Sequence, residues 1–464
     1  MKIIIKYERI VAVLLVAFLL SGCEDFLDLE VPNDRITSTT VYDDDATAWA
    51  ALDGMYIQLF NTAFAAGGNA SVSFLGGLSA GSYSLTSAVP DMEEFAGYKL
   101  EASNGLNLNL WSGAYNTIYM CNALIEGVAV NRVLSSDTRE ILEGQARFVR
   151  AFTYFELTNL YGDVPLVTQT NYTVNALESR SLQTEVYDLI QEDLNRAVEL
   201  LDSDYRDNER TRANRFTALG LLARVHLYLE NWEQAETYSS EVLAATDLYE
   251  LPEDLNNVFL ANSPEALWQL SPEGWGNSFT HTRDGNLLIR ITTTGSPVDL
   301  SEDLLQSWES ADQRREAWIG SFTTTAQTYY YPNKYKIRYN ASGGNYTEYS
   351  MIMRLAEQYL IRAEARTRQG KLEQAVNDIN TIRKRAGLEP VEFNTSLSQE
   401  SLIEAVLEER YHELFSEWGH RWLDLKRTGK ALEKLEGVEA SDLLYPIPED
   451  ELLKNLNLTQ NAGY

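Results

Sequence analysis

The feature that most limits what this chain can fold into is a helical repeat with an offset of 140 residues. Ala223 stands twelve positions before Ala235, and the second alanine ends the run Trp-Glu-Gln-Ala. Ala363 and Ala375 have the same spacing, and Ala375 ends the run Leu-Glu-Gln-Ala. Small residues at this spacing let two antiparallel helices approach closely across a tight turn, as in a tetratricopeptide hairpin. The sequence therefore predicts tetratricopeptide-like hairpins, with larger residues filling the space between them: Leu219, Leu222, Tyr359 and Ile379.

Helical periodicity extends over most of the rest of the chain. Asp137, with Glu140 three residues later, predicts a helix start, and that helix is expected to end near Gly162. A second amphipathic pattern runs from Thr184 to Leu201. The expected fold class is therefore mainly α.

Two stretches interrupt the helical pattern, residues 65–109 and 250–350. They are rich in glycine, proline, serine and asparagine, and the second contains β-like runs such as 287–291. We expect a loop-rich half with short strands laid on a helical frame. Loops this long inside a compact domain are usually functional, so a binding surface is expected among them.

The N-terminus has the pattern of an export signal. Three basic residues precede an apolar run of eleven residues, 10–20, and Leu-Ser-Gly-Cys then ends at Cys23. As a helix the run would be about 16 Å long, which is too short for the ~30 Å hydrocarbon core of a bilayer. Leu-Ser-Gly-Cys resembles the bacterial lipobox, whose cysteine takes a lipid before cleavage. We expect residues 1–22 to be a removed signal peptide, Cys23 to be lipidated, and residues 23–34 to form an acidic tether.

The remainder, 35–464, is expected to be a single domain with an N-terminal part of about 35–250 and a C-terminal part of about 251–464. Cys121 is the only other cysteine, so lipidation of Cys23 leaves it no disulfide partner, and its apolar surroundings predict a buried side chain. The formal net charge of −30 argues against nucleic acid as a partner, because phosphate contact needs a basic face. The acylated N-terminus is the expected membrane attachment.

Metal and catalytic patterns in the helical part are weak. Glu409 and Glu417 each stand three residues before a histidine, which is a di-metal ligand spacing in helical bundles. Such a site also needs a glutamate from each of two further helices, and Gly419 interrupts the second copy, so we interpret the spacing as coincidence. We predict no catalytic residue, no metal and no cofactor. The helical charges are instead expected to form ion pairs that join helices: Arg147, Arg150, Glu409, Glu413 and Arg421.

Six segments, in order along nearly the whole chain, resemble one protein family. They are 145–166 (QARFVRAFTYFELTNLYGDVPL), 223–228 (ARVHLY), 354–365 (RLAEQYLIRAEA), 380–388 (NTIRKRAGL), 409–429 and 445–464. Together with Cys23 they resemble the SusD/RagB outer-membrane nutrient-binding lipoproteins. One small departure is Trp418-Gly419-His420, which stands where the family often has Glu-Gly-x.

The resemblance implies a SusD-like fold, in which tetratricopeptide-like hairpins pack against a more irregular half. It also implies a lipid-anchored protein of the outer membrane, facing the exterior, that captures oligosaccharide or peptide as a lid on a SusC-like TonB-dependent transporter. The choice between glycan and peptide stays open. Two alternatives are a tetratricopeptide-type scaffold that holds protein partners only, and a surface hydrolase.

Aromatic residues in the loop-rich stretches are the best candidates for ligand contact. Sugar rings have apolar C–H faces that stack on aromatic rings, and their hydroxyls need Asp, Asn or Arg partners. The alternative is that these aromatic residues only pin the long loops in place. The predicted ligand-contact residues are Tyr83, Asp91, Trp275, Arg283 and Tyr330.

Overall fold

The computed structural model describes residues 41–62, 64–65, 67–131, 133–275, 279–341 and 343–464. The predicted signal peptide 1–22 and tether 23–34, with Cys23, lie outside these residues. Helices make up 54% of the protein, so the predicted mainly α fold is confirmed. Among the described residues, none of the helices is long and apolar enough to cross a membrane.

The N-terminal half is built from helices that share one core. Helix α5 buries much of its length: Phe148, Phe152 and Phe155 on its apolar stripe are fully buried, and Ile141 on the same stripe is partly buried. Cys121 is buried as predicted. The helices of this half are α1 (Asp45–Asn61), α2 (Val72–Ser79), α3 (Pro90–Ala96), α4 (Gly105–Val130), α5 (Ser136–Tyr161), α6 (Tyr172–Asn175), α7 (Gln183–Leu200), α8 (Arg215–Tyr228) and α9 (Trp232–Ala244).

Two helix starts differ from the prediction by one or two residues. Helix α5 begins before Asp137, because the Ser135 Oγ accepts the N–H of Thr138 at 3.2 Å and so caps the helix. Helix α7 begins one residue before Thr184. There the Glu185 carboxylate accepts the backbone N–H of Leu182 at 3.0 Å. Local capping bonds therefore decide both boundaries.

The C-terminal half contains the second hairpin and several short helices. The predicted hairpins are confirmed as α8–α9 and α13–α14. Ala223 and Ala235 share a buried cluster with Ile361 and Ala365, so the two hairpins pack against each other. The helices of this half are α10 (Arg283–Leu288), α11 (Glu302–Ser307), α12 (Gln313–Trp318), α13 (Leu355–Arg368), α14 (Leu372–Arg385), α15 (Gln399–Leu414), α16 (His420–Arg427), α17 (Ala431–Lys434) and α18 (Glu449–Lys454).

The turns of the two hairpins also match at the offset of 140 residues. Glu230 and Gly370 occupy the same place and both have left-handed backbone, with φ of 57° and 77°. Each turn closes with the same backbone hydrogen bond, from the N–H of Asn231 to the carbonyl of His226 (2.8 Å) and from the N–H of Lys371 to the carbonyl of Arg366 (2.9 Å). The repeat therefore extends to backbone conformation.

The strands of the described residues are short and form antiparallel pairs. The first pair below joins the two loop-rich stretches, and the third brings together the beginning and the end of the stretch 250–350. The pairs are β1 (Tyr83–Leu85) with β5 (Val298–Leu300), β2 (Val164–Pro165) with β3 (Arg180–Ser181), β4 (Ala266–Leu270) with β8 (Ser350–Arg354), and β6 (Ile319–Thr323) with β7 (Thr328–Pro332).

The β-like run 287–291 does not form a strand, so that prediction was wrong. Its first residues end helix α10, which Thr282 caps by accepting the N–H of Gly285 at 3.0 Å. Arg290 then donates to the carbonyls of Thr293 (2.6 Å) and Ser296 (3.0 Å). These bonds turn the chain back on itself where an extended strand was expected.

One hydrophobic core extends from helix α1 to Ile447, and the segment 445–461 completes it. The Tyr445 hydroxyl lies 2.8 Å from the Ser79 Oγ of α2. Asn461 donates from Nδ2 to the carbonyl of Tyr161, at the end of α5, over 2.9 Å. A C-terminal segment thus completes the core that the N-terminal helices form.

A buried ionic network joins the loop-rich half to the helical frame. Its centre is Glu413 of α15, which binds Arg314 of α12 at 2.8 Å, Arg354 at the end of β8 at 2.5 Å, and Arg385 at the end of α14. Burial alone would raise the pKa of Glu413, but the three arginines outweigh burial and hold that pKa well below its usual range. The network is therefore fully charged at neutral pH.

Most of the helical charges form the ion pairs expected of them. Arg147 and Arg150 of α5 both bind Asp193 of α7 at 2.7 Å, and Glu409 binds Arg314 at 2.7 Å. Arg421 differs, because its guanidinium lies over the Tyr411 ring, 4.1 Å from the ring centre.

Candidate functional site

One face of helix α1 carries the candidate site. Asp53, Ile57 and Asn61 are four residues apart in the helix, so their side chains share that face. The segment 270–273 lies along the middle of the face, and Arg283 lies at its C-terminal end. We call the surface between these elements the α1 groove, formed by Asp53, Ile57, Asn61, Ser271, Glu273 and Arg283.

Arg283 is held where helix α1 ends. Its Nη2 donates to the Asn61 Oδ1 at 3.2 Å, and its guanidinium lies 5.5 Å from the centre of the Phe60 ring. A helix C-terminus carries partial negative charge, which favours a cation there. Burial lowers the pKa of Arg283, although a guanidinium stays charged at neutral pH. This end of the groove therefore presents a half-buried positive charge and an amide.

Three aromatic rings lie in the two segments that meet at helix α10, which begins with Arg283; Asn286 of that helix donates from Nδ2 to the carbonyl of Arg338 at 3.0 Å. Phe279, His281 and Tyr339 are mutually in contact, with ring centres 5.2–5.9 Å apart. We call them the aromatic cluster. His281 is buried, whereas the Tyr339 side chain is 58% exposed, so the cluster offers one open ring backed by two others. An exposed ring with a rigid apolar base suits stacking against a flat ligand face.

Hydrogen bonds between two loop segments hold the aromatic cluster in place. Asn340 donates from Nδ2 to the Thr280 Oγ1 at 2.6 Å. The His281 Nδ1 lies 3.0 Å from the backbone nitrogen of Asn340 and 3.1 Å from the carbonyl oxygen of the same residue. Burial lowers the pKa of His281, so this ring is neutral at pH 7. The cluster is therefore preformed and uncharged.

The middle of the α1 groove opens into a cleft of about 310 Å³. Arg212 borders it, pairs with Asp53, and places its guanidinium 5.7 Å from the centre of the Trp49 ring. The cleft thus combines charged, hydroxyl and apolar groups, as small-molecule sites do. Its lining residues are Asp53, Tyr56, Ile57, Thr211, Arg212, Leu270, Ser271 and Glu273.

Asp284, the residue after Arg283, is buried against Gly67. A Cβ on Gly67 would overlap the Asp284 carboxylate, and Gly67 has a φ of +73°, so this position needs glycine on both grounds. Burial raises the pKa of Asp284 to about 7. Asp284 is 9% exposed and is therefore a packing residue behind the groove.

Of the predicted ligand residues, the structure places Arg283 in the α1 groove. Trp275 ends the 3₁₀ turn 272–275, which packs beside helix α1, and its side chain lies outside the described part of the chain. Ligand contact by Arg283 and by Trp275 stays a proposal for each residue.

Tyr83, Asp91 and Tyr330 lie on elements that do not form the groove. Tyr83 is 4% exposed and stacks on Phe74 with ring centres 5.9 Å apart, which leaves no ring face for a ligand. Asp91 lies in the first turn of α3. Tyr330 lies in β7 and packs partly against the core. The site proposed below therefore does not include these three residues.

The sequence analysis did not identify Tyr339 and Arg212 as candidate site residues. Tyr339 lies within the loop-rich stretch 250–350, and the asparagine that follows it was an available signal, since aromatic and amide groups together suit sugars. Arg212 had no comparable signal, because its neighbours Trp49 and Asp53 are remote in sequence and only the fold brings them to it.

The glutamates of the two Glu-x-x-His patterns belong to the ionic network. Glu409 binds Arg314 at 2.7 Å, and Glu417 binds Arg354 at 2.8 Å, so arginines occupy both carboxylates. In the part of the chain that the structure describes, three or more His, Cys, Asp or Glu side chains are nowhere grouped so that they could hold a metal ion.

Two family profiles match the sequence. A profile described as starch-binding proteins associating with the outer membrane matches residues 25–227. A second profile, of the SusD family, matches residues 313–440. The first stretch includes helix α1 and the second includes the ionic network around Glu413.

Relatives and solved structures agree with the profiles. The SusD-like protein P2 of Formosa agariphila is 29% identical, and the match covers 80% of this chain and 83% of that protein. A SusD superfamily protein from Bacteroides vulgatus superposes with a TM-score of 0.79 at 21% identity, covering 91% of this chain and 99% of that one. A laminarin-binding SusD-like protein superposes with a TM-score of 0.75 at 24% identity, covering 90% and 99%. These superpositions show a common fold.

Proposed function

Because the chain belongs to the SusD/RagB family, we propose that it binds oligosaccharide at the α1 groove and delivers it to a SusC-like TonB-dependent transporter without chemical turnover. The family is associated with the outer membrane and with glycan binding. The proposal concerns three properties of this chain: its ligand, its transporter partner and its lack of catalysis.

The observation that carries the proposal is the aromatic cluster in the segments that meet at helix α10, whose first residue, Arg283, is paired with Asn61. A pyranose ring needs an apolar platform for its C–H face and directional partners for its hydroxyls. The open ring of Tyr339 supplies the first, and the Arg283–Asn61 pair supplies the second. Peptide binding would favour a deep side-chain pocket or an exposed strand edge more than a single open ring.

Capture and release require no reactive group. The groove is open to solvent and its loops are joined by hydrogen bonds, so a ligand meets a preformed surface and pays little for ordering it. Asp53, a carboxylate of the cleft, is already paired with Arg212. Binding of this kind can stay weak enough for transfer to a transporter.

The anchor belongs to the same proposal. A lipid on Cys23 and a tether over residues 23–34 would keep the domain at the outer membrane, on the exterior side. A tethered domain meets a neighbouring transporter at a high effective concentration, so even a weak contact between them is populated.

The first test is calorimetric titration of the protein with laminarin and with starch. Tyr339→Ala should weaken binding at least tenfold, about 1.4 kcal/mol, because it removes the open ring. Tyr119→Ala is the matched control: Tyr119 is 51% exposed and lies in helix α4, outside the groove. Its affinity should equal that of the unmodified protein.

Three results would count against the proposal. Equal affinity of the Tyr339 and Tyr119 variants would remove the α1 groove as the site. Binding of peptides but neither polysaccharide would change the ligand class. Release of shortened glycan products would make the protein a hydrolase.

A further inference from the structure

A second surface of the protein exposes an unusual concentration of apolar side chains. Sixteen large apolar residues are exposed in the described part of the chain, and six of them lie in the two short segments 172–182 and 453–456. The most exposed of these six are Leu456 at 89%, Tyr172 at 78% and Leu453 at 72%. We call the six the leucine patch: Tyr172, Val174, Leu177, Leu182, Leu453 and Leu456.

Hydrogen bonds join the two segments side by side. Asn457 donates from Nδ2 to the carbonyl of Leu177 at 2.6 Å, and Asn455 donates from Nδ2 to the carbonyl of Glu178 at 2.7 Å. Leu456 lies between these two asparagines in the sequence, so the segment that carries it is fixed beside residues 177–178. The fold therefore fixes the position of these exposed side chains.

A fixed group of exposed apolar side chains on an otherwise strongly acidic protein needs a partner. Isolated exposed apolar residues are ordinary, but clustered ones mark contact surfaces. Aliphatic side chains offer no flat ring for a sugar, and only one of the six residues is aromatic. The chemistry of the patch therefore fits a protein surface better than a glycan.

The charges around the leucine patch restrict which kinds of partner it can bind. Glu178, Glu185, Glu449 and Asp450 lie in or next to its two segments in the sequence. The cations there are already bonded: Lys454 pairs with Glu451 at 2.8 Å, and Arg180 donates to the carbonyls of Asp163 (2.7 Å) and Thr459 (3.0 Å). This acidic rim would repel an anionic membrane surface, the rim of a second copy of this chain, and the acidic run 24–30 of the chain itself. It would attract a protein whose apolar contact area is bordered by lysine or arginine.

We propose that the leucine patch is the docking surface for the outer-membrane transporter, which meets it with an apolar area bordered by basic residues. The inference rests on the proposed function and adds the face through which this protein holds its partner. It also separates two surfaces, the α1 groove for ligand and the leucine patch for transporter.

The test is recovery of the transporter with the natively lipidated protein from mildly solubilised outer membranes. The variant Leu177→Asp/Leu456→Asp should reduce the recovered transporter at least tenfold, because it places two charges in the apolar centre. Leu432→Asp is the matched control, since Leu432 is 54% exposed and lies in helix α17. Glu449→Lys/Asp450→Lys should also reduce recovery, because it reverses the rim charge.

The outcomes separate this inference from the proposed function. If the unmodified protein and the double leucine variant recover equal amounts of transporter, the docking surface is wrong and the function stands. If the unmodified protein recovers none while still binding glycan, the transporter partnership and its docking surface both fail. A double variant that instead loses self-association, or loses binding to outer-membrane lipid vesicles, would assign the patch to those occupants and overturn the inference. Circular dichroism and glycan titration of each variant confirm that it is folded.

Discussion

Arg224 holds two glutamates whose charge states differ. Its Nε and Nη2 donate to the carboxylate of Glu357 at 2.8 and 2.6 Å, whereas Glu156 lies 3.9 Å away. Burial raises the pKa of Glu156 to about 8. Burial acts in the same direction on Glu357, but the charges of Arg224 and His420 outweigh it and lower that pKa to about 2. At neutral pH Glu357 is charged and Glu156 is mostly protonated.

Glu156→Gln should change how folding stability depends on pH. The folded state keeps the Glu156 proton up to about pH 8, but the unfolded chain loses it near pH 4.5, so stability falls as the pH rises between these values. Glutamine is uncharged throughout. In urea unfolding, the variant should match the unmodified protein near pH 5 and be more stable at pH 8.5, by on the order of 1–3 kcal/mol. Parallel pH profiles for the two proteins would contradict this.

Glu357→Gln should have the opposite effect at the same arginine. The substitution leaves the buried Arg224 guanidinium without its charged partner, so the free energy of unfolding at pH 7 should fall by about 3–5 kcal/mol. The deficit should shrink as the pH falls through about 2, where Glu357 itself is protonated. Urea unfolding again provides the measurement, and a loss below about 1 kcal/mol would show that the pair is not strongly coupled.

Ion pairing in the motif helices could be predicted from the sequence because charges inside a protein need partners. The identity of the protonated carboxylate could not, because Glu156 and Glu357 are 201 positions apart and compete for one arginine only in the folded protein. The same limit applies to ligand residues. Tyr83 and Tyr339 are both tyrosines in loop-rich stretches, and only burial by Phe74 distinguishes the first from the second.

At the scale of elements, the hairpins α8–α9 and α13–α14 were predictable because alanine spacing and helix packing are both local properties. The β1–β5 and β4–β8 pairs were not, because each strand is three to five residues long and its partner is remote in the chain. The run 287–291 shows the same limit, since the Thr282 cap outweighed its β-like composition.

The matched hairpin turns make a prediction at this scale. Glu230 has a left-handed φ of 57°, where Gly370 has a φ of 77° in the other hairpin. A residue with a Cβ is strained there, so Glu230→Gly should raise the free energy of unfolding by up to about 1 kcal/mol. Gly370→Ala should lower the free energy of unfolding by about 1 kcal/mol. The added Cβ would have no atom within 4 Å, so the expected loss comes from backbone strain and not from a steric clash. Thermal unfolding of both variants tests this prediction. Unfolding temperatures that shift in the same direction for both variants would contradict it.

At the scale of the whole molecule, the network around Glu413 determines how firmly helix α12 and strand β8 are joined to helices α14 and α15. Glu413→Gln should destabilise the protein by about 3–5 kcal/mol, because it removes the charge shared by three buried arginines. Hydrogen exchange should speed up in α12 and β8 together, since Arg314 and Arg354 belong to those elements. Glu404→Gln is the control: Glu404 is half exposed in its pair with Lys430, and its loss should cost less than about 1 kcal/mol. Faster exchange in only one of the two elements would mean that the network does not act as a unit.

The position of segment 445–461 bears on when this protein can finish folding. Helices α2, α4 and α5 each bond to that segment, through Ser79, Asn107 and Tyr161. A ribosome delivers these helices long before it delivers their partner, so their shared interior stays open during synthesis. For the export predicted from residues 1–22 this delay would be useful, since a polypeptide that has not closed its interior can still be threaded through a secretion pore. We expect the final closure to take place on the far side of that membrane.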